Sequence, residues 1–327
     1  MSYPNGPRTT PTVVDGLVYT LGAEGDLFCF GTGGKKKWHR NFKEDFDVEA
    51  PLWGFSASPL VDGEQIICIV GGEGSVVVSF HRKTGEKLWS ALSAKEPGYA
   101  PPMIYEVGGK RQLIVWHPEA INSLDPKTGK LYWSQPFAIQ AGLTIPTPRL
   151  LGQSLFITSF YNGPMMLELA KDMPAAKIIW KGTGRNEKKT EQLHAIMATP
   201  FLEDGTIYGV CSYGQLRCLD LKTGKRIWES LDATGADKAR WQRNRWANAF
   251  LVKHDDRFFI ANEKGELILA RLSRKGYEEI SRQKILEPTG GAMGRKIVWS
   301  HPAYANRSVY MRNDKEIVCV SLAARAK

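Results

Sequence analysis

Three histidines, His117, His194 and His301, and one carboxylate, Glu119, are the side chains best suited to chemistry in this chain of 327 residues. Three imidazoles would suit zinc, but a zinc ligand set usually betrays itself by short, regular spacing. Here the three histidines fall in different repeats of the sequence, so only the folded protein could gather them, and no metal site is expected. A hydrolase needs a nucleophile, a base and an orienting acid. Ser56, His194 and Glu119 supply the residue types without any spacing that would join them. There is no Gly-x-Ser-x-Gly, and "GGEGS" at 71–75 reads as a turn. The pair Gly71-Gly72 precedes no helical segment, so it is not a phosphate-cradling loop.

The five cysteines, Cys29, Cys68, Cys211, Cys218 and Cys319, include no Cys-x-x-Cys and no adjacent pair. A zinc site or a redox dithiol is therefore not expected. Cys29, Cys218 and Cys319 sit in alike stretches, "LFCF", "LRCL" and "IVCV", which read as apolar strand interiors where a thiol acts as a small hydrophobe. Cys211 and Cys218 bracket a hairpin, and free thiols are expected there rather than a disulfide.

The net charge of +10, from 44 basic and 34 acidic residues, favours anionic surfaces. The charge is scattered, apart from "KKK" at 35–37 and "RWQRNR" at 240–245. A solvated basic surface is expected, and nucleic acid is not an expected partner. No apolar run approaches the ~18 residues that span a bilayer. The opening "MSYPNGPRTTPTVVDG" has neither the basic nor the apolar region of a signal peptide.

The elements that must position these residues announce themselves by repetition. "LDLKTGKRIWES" at 219–230 is echoed by "LDPKTGKLYWSQ" at 124–135, by "SFHRKTGEKLWSA" at 79–91 and, loosely, by "GTGGKKKWHRN" at 31–41. A degenerate copy, "LAKDMPAAKIIW", lies at 169–180. A sixth, "LILARLSRKGYEEI" at 267–280, keeps the turn and has Ile280 in place of Trp. Ahead of these corners run patterns such as "TPTVVDGLVYTLGAEGDLFCF" (10–30) and "ATPFLEDGTIYGVCSYGQLRCLD" (198–220). Each reads as strand, turn, alternating strand, turn, strand, with β-branched and aromatic enrichment. The fourth strand follows the Thr-Gly-Lys turn and holds the Trp.

One repeat is thus a four-stranded meander of roughly 40–50 residues, the period of a β-propeller blade. Repeats begin near Thr10, Ser58, Ala100, Pro146, Ala198, Ala247 and His301, giving one all-β domain of seven blades over 1–327. The glycine of the turn supplies φ > 0. Trp38, Trp89, Trp133, Trp180 and Trp228 are the expected anchors between neighbouring blades. The last repeat stops without a Trp strand. Residues 1–9, with two prolines and a glycine, would make a poor strand to complete it.

"LDLKTGKRIW", "LDPKTGKLYW" and the Asp-Gly hairpins resemble the PQQ-like, quinoprotein-type β-propeller repeat family. That superfamily includes quinoprotein alcohol dehydrogenases and the outer-membrane protein assembly lipoprotein. "GPRTTPTVVDGLVYTLGAEGDLFCF" and "SPLVDGEQIIC" look most similar to secreted PQQ-binding-like repeat proteins of planctomycete-type bacteria. The resemblance implies an eight-bladed relative whose N-terminal blade is absent here, and a periplasmic or secreted location. In the quinoprotein enzymes it implies a quinone held between a Trp and a vicinal disulfide beside a calcium or lanthanide. This sequence has no Cys-Cys pair and no clustered acidic ligand set, so PQQ is not expected as a cofactor, nor is any other.

Propeller topology puts the Asp-Gly and Thr-Gly-Lys turns at one end of each sheet. The second-to-third turns and the links between blades lie at the other. Those links supply Trp53, Tyr99, Thr144, His194, Trp246, Trp299 and His301, and the turns add His117, Glu119, Tyr161, Asn162 and Tyr213. Around the mouth of a channel they would suit a protein, or a polar or glycan ligand. The expected function is non-catalytic: a binding or assembly scaffold, within an envelope complex if the resemblance extends so far. The alternative is an enzyme acting on carbohydrate or alcohol at the same mouth.

Overall fold

The computed structural model describes residues 8–184 and 186–323. The expectation for residues 1–7 as a poor closing strand lies outside them. The fold class is all-β, a propeller blade repeated along the chain. Among the described residues there are six four-stranded sheets, one three-stranded sheet and a separate two-stranded hairpin. Each four-stranded sheet is a simple antiparallel meander. In the first, Thr12–Val14, Leu17–Leu21, Asp26–Gly31 and Lys36–Asn41 pair in chain order. The first strands of the later sheets are Leu60–Asp62, Met103–Val107, Arg149–Leu151, Phe201–Glu203, Ala249–His254 and Ala303–Ala305. Each begins two or three residues after the start expected from sequence.

The chain divides into two compact units, 1–179 and 180–327, the division falling within the last strand of the fourth sheet. In the first unit, Tyr19, Leu27 and Trp38 of the first sheet pack with Ile66, Cys68 and Phe80 of the second. Ile67 and Val77 of the second then pack with Leu113 and Val115 of the third. In the second unit, Tyr208 and Leu216 pack with Phe258 and Ile268, and Ala261 and Leu267 with Val309 and Met311. The alternation of each strand supplies an apolar row to both faces of its sheet, so neighbouring sheets share a core.

The Thr-Gly-Lys glycines have two duties, one of which the sequence does not reveal. Gly34, Gly85, Gly129 and Gly224 all lie at positive φ, between +68° and +85°. Three of them also lie under a tryptophan of the preceding sheet. A Cβ on Gly85 would stand 2.9 Å from Trp38, one on Gly129 2.6 Å from Trp89 and one on Gly224 2.8 Å from Trp180. The anchoring role of Trp is therefore a ring laid flat on a bare backbone. Trp38 Nε1 donates to the Arg82 carbonyl (2.9 Å), Trp180 Nε1 to that of Leu221 (3.0 Å) and Trp228 Nε1 to that of Ser273 (2.8 Å). Each bond reaches the next sheet.

Trp89 and Trp133 instead donate within their own sheets, to buried glutamines. Gln65 Oε1 accepts from Trp89 Nε1 (3.2 Å) and Ser79 Oγ (2.7 Å). Gln112 Oε1 accepts from Trp133 Nε1 (2.9 Å) and Ser123 Oγ (2.8 Å). Each buried amide oxygen is thereby satisfied.

One expectation needs correction. Cys319 lies in a strand, Ile317–Ser321, but is exposed. That strand is the outermost of the three-stranded sheet. Ile280, which stands where other repeats carry Trp, is exposed on the strand Gly276–Lys284.

Candidate functional site

The second-to-third turns and the inter-sheet links differ from repeat to repeat, and they carry every candidate residue. In the first unit they build a compact aromatic and polar cluster. Trp53 and Tyr99 meet edge to face with ring centroids 5.7 Å apart. Arg8 donates from its guanidinium to the Trp53 carbonyl. The Tyr99 amide donates to the Thr144 carbonyl at 3.0 Å, and the Thr144 side chain is fully buried. This approach needs a glycine beside it: a Cβ on Gly98, at φ +76°, would fall 2.0 Å from Thr144 Oγ1. Burial, with the Glu96 carboxylate nearby, pushes the Tyr99 hydroxyl up to about 12. Tyr99 is thus a packed neutral phenol at any working pH.

His117 and Glu119 share the turn between the second and third strands of the third sheet. His117 is buried, and its Nδ1 accepts the Glu119 amide at 3.3 Å. Desolvation lowers its pKa, partly offset by the Glu119 charge. Glu119 is exposed, and its Oε1 accepts the Lys95 amide at 3.0 Å. Asn162 Oδ1 accepts the Gln140 amide at 2.8 Å, and Tyr161 lies edge-on to Phe160. Most of these candidates therefore tie one loop to the next.

The candidates of the second unit divide into two groups. His194 is fully buried; its amide donates to Cys211 Sγ (3.3 Å) and its carbonyl accepts from Ser212 Oγ (3.1 Å). Beneath it, the nearly buried Arg217 bonds Cys211 Sγ (3.1 Å), Thr190 Oγ1 (2.8 Å) and Glu229. His301 lies against Phe250, ring centroids 3.8 Å apart, and desolvation on that side lowers its basicity even though the residue keeps an exposed edge. Among the described residues, no group of three or more His, Cys, Asp or Glu could hold a metal ion.

The other group is half-exposed and aromatic. Trp246 and Trp299 meet edge to face at 6.5 Å, and the Arg245 guanidinium sits 5.0 Å over the Trp246 ring. Tyr213, buried, stacks on Trp241 at 4.4 Å. Sequence reasoning missed the residues that hold this group. Glu263, only 5% exposed, accepts from Arg295 Nε (2.8 Å) and from Trp299 Nε1 (3.0 Å). Arg295 also donates to the Arg245 carbonyl (3.2 Å), and Arg245 pairs with the buried Glu187 at 3.5 Å. Arg295 stands on the small hairpin Gly290–Ala292 and Arg295–Ile297, which no repeat of the sequence pattern announces. A lone Glu-Lys-Gly turn at 263–265 gave no signal at all.

A family model described as "Outer membrane protein assembly factor BamB" matches residues 4–230 and, overlapping them, 106–326. The chain belongs to this family. Two curated BamB proteins are similar to it: one from Yersinia pestis, 24% identical over 249 residues, and one from Shewanella oneidensis, 21% identical over 233. The alignments take in 72% and 68% of this chain but only 58% and 56% of those proteins. The chain thus matches little more than half the length of these BamB relatives.

The crystal structure of BamB from Moraxella catarrhalis matches with a TM-score of 0.65 at 16% identity, over 96% of this chain and 85% of that one. A computationally designed protein, Ika8, matches with a TM-score of 0.59 at 9% identity, over 98% and 85%. These likenesses support the propeller fold. No two cysteines are adjacent, and all five are free thiols.

Proposed function

We propose that this chain is a BamB-like scaffold of the bacterial envelope, acting outside the cytoplasm in the assembly of outer-membrane proteins and working by binding other proteins. The observation that carries the reading is the contrast within each sheet, joined to membership of the BamB family. One end is fastened by repeated Trp-on-Gly contacts. The other carries variable loops whose aromatic residues are positioned by buried polar partners and left partly open, as at Trp246 and Trp299. Variable loops on a rigid scaffold are where recognition usually resides. None of the described helices is long and apolar enough to cross a bilayer.

Site-specific photo-crosslinking in bacterial envelopes tests the reading. A photoreactive residue at Trp53, Tyr161 or Trp299 should give discrete protein adducts, and one at Thr84, Thr128 or Thr223 should give none. Adducts from the second set alone would overturn it. The same purified protein, given PQQ and Ca²⁺, should show no dye-linked alcohol oxidation. Appreciable turnover would replace the scaffold with an enzyme.

A further inference from the structure

The basic run at 240–245 belongs to a built surface. Asp237 caps the short helix Lys238–Asn244, its carboxylate accepting the Ala239 amide at 2.8 Å. Asn244, buried, closes the loop by donating to the Asp237 carbonyl (2.7 Å) and accepting the Asp237 amide (3.2 Å). Trp246 follows at φ +66°, a conformation disfavoured for a bulky residue, and its amide is tied to the Ser212 carbonyl at 2.9 Å. Such strain persists only where the surroundings impose it.

This fixed loop presents Lys238, Arg240, Arg243 and Arg245 within eight residues that contain no acid. Arg240 and Arg245 have carboxylate partners, Asp237 and Glu187. Lys238 and Arg243 are exposed, and neither forms an ion pair among the described residues. Between them stands Trp241, backed on one face by Tyr213. The corresponding link of the first unit has the opposite sign: Glu44, Asp45, Asp47 and Glu49 against Lys43.

We propose that the loop at 237–246 docks an extended acidic segment of a partner protein that carries an aromatic or proline side chain. This deepens the scaffold reading and rests on it. The two unpaired cations would take carboxylates, and the Trp241 ring would stack on the flat side chain between them. A peptide fits better than a nucleic acid because Asp232, Asp237 and Glu187 interrupt the positive field. Isolated carboxylates can avoid those acids, whereas a continuous run of phosphates cannot.

The test is fluorescence anisotropy at low salt, with a short labelled peptide of alternating glutamate and glycine around one Phe-Pro pair. It is compared with the same peptide carrying glutamine for glutamate, and with an oligothymidylate. The glutamate peptide should bind and the glutamine one should not. The double variant Lys238→Glu/Arg243→Glu should weaken binding by about tenfold or more, and Trp241→Ala by about fivefold, in line with exposed charge pairs and stacking. Lys222→Glu/Lys225→Glu, at the opposite end of the fifth sheet, should stay within about twofold. Thermal melts check that each variant folds. If the double variant does not, Trp241→Ala and added salt, which should weaken the glutamate peptide, decide the matter.

Equal binding of the two peptides, equal loss in the Lys222/Lys225 control, or tighter binding of the oligothymidylate would each overturn the proposal. Crosslinked adducts at Trp53 that persist in the double variant would leave the scaffold reading standing on its own.

Discussion

The two ends of each sheet obey different rules. At the end carrying the third-to-fourth turns, one contact recurs: a tryptophan ring over the glycine of the next sheet, at Trp38 and Gly85, Trp89 and Gly129, and Trp180 and Gly224. At the opposite end a backbone bond recurs, from a link amide to the turn before it, as at Phe55 and Ala23, Trp246 and Ser212, and Val298 and Glu263, but the aromatic side-chain contacts differ from sheet to sheet. Trp53 leans on Tyr99, Trp241 on Tyr213, and Trp299 hangs from Glu263. Repetition in sequence marks the contact that every sheet needs in order to stack. Its absence marks positions released from that need and open to individual use.

The largest effect should come from removing the best-buried anchor. Trp38 is 9% exposed and its Nε1 satisfies the Arg82 carbonyl. Trp38→Ala should cost about 3–5 kcal/mol in chemical denaturation, as expected for deleting a buried aromatic. Trp133 and Trp228 are half-buried and should fall below it. A loss under ~1 kcal/mol at Trp38 would end the claim that these rings hold the sheets together.

Glycine substitutions separate conformation from contact. Gly34 and Gly129 both lie at positive φ, but a Cβ on Gly34 would meet nothing within 4 Å, while one on Gly129 would strike Trp89. Gly34→Ala should therefore cost about 1 kcal/mol for backbone strain alone. Gly129→Ala should cost about 3 kcal/mol, because overpacking adds to the strain. Equal costs would show that Trp89 moves aside freely and that the turn matters only for its dihedral angles. In a Trp89→Ala background, Gly129→Ala should cost only the ~1 kcal/mol of backbone strain, so the double-mutant cycle isolates the ring contact.

The fold was legible in the sequence because its causes are local and repeated. Alternating strands, Asp-Gly and Thr-Gly-Lys turns and a Trp in five of the repeats placed the start of each three- and four-stranded sheet to within three residues, though not the small hairpin at 290–297. The second duty of the turn glycines was hidden, since it joins residues of different repeats. The site was legible only as a set of loops. Position alone could not show that His194 is sealed against Cys211, or that Trp299 depends on Glu263, 36 positions away. Exposure of Cys319 was equally invisible. "IVCV" reads like "LFCF", but Cys29 lies in the core shared by the first two sheets and Cys319 is exposed.

A pH titration reaches the loop end through His117. Burial lowers its pKa, and its Nδ1 already accepts the Glu119 amide, so protonation there would break that bond. The folded chain binds this proton less readily than the unfolded chain. Stability should therefore be full above the ordinary histidine value of about 6.5 and should fall as pH drops below it. Melting temperatures between pH 7 and pH 5 measure the slope, and His117→Gln should flatten it. An unchanged slope in that variant would assign the acid sensitivity elsewhere.

The smallest effect carries the sharpest side of the comparison. Lys238 and Arg243 are exposed, have no ion-pair partner among the described residues and sit on a loop fixed by Asp237 and Asn244 rather than by their own side chains. Reversing both charges should change stability by no more than about 0.5 kcal/mol, the usual range for surface positions free of structural contacts. The glycines of the Thr-Gly-Lys turns allow no such freedom. If the reversed loop instead melts early, its charges are structural, and the division between a fastened end and a free end fails at the place where it predicts recognition.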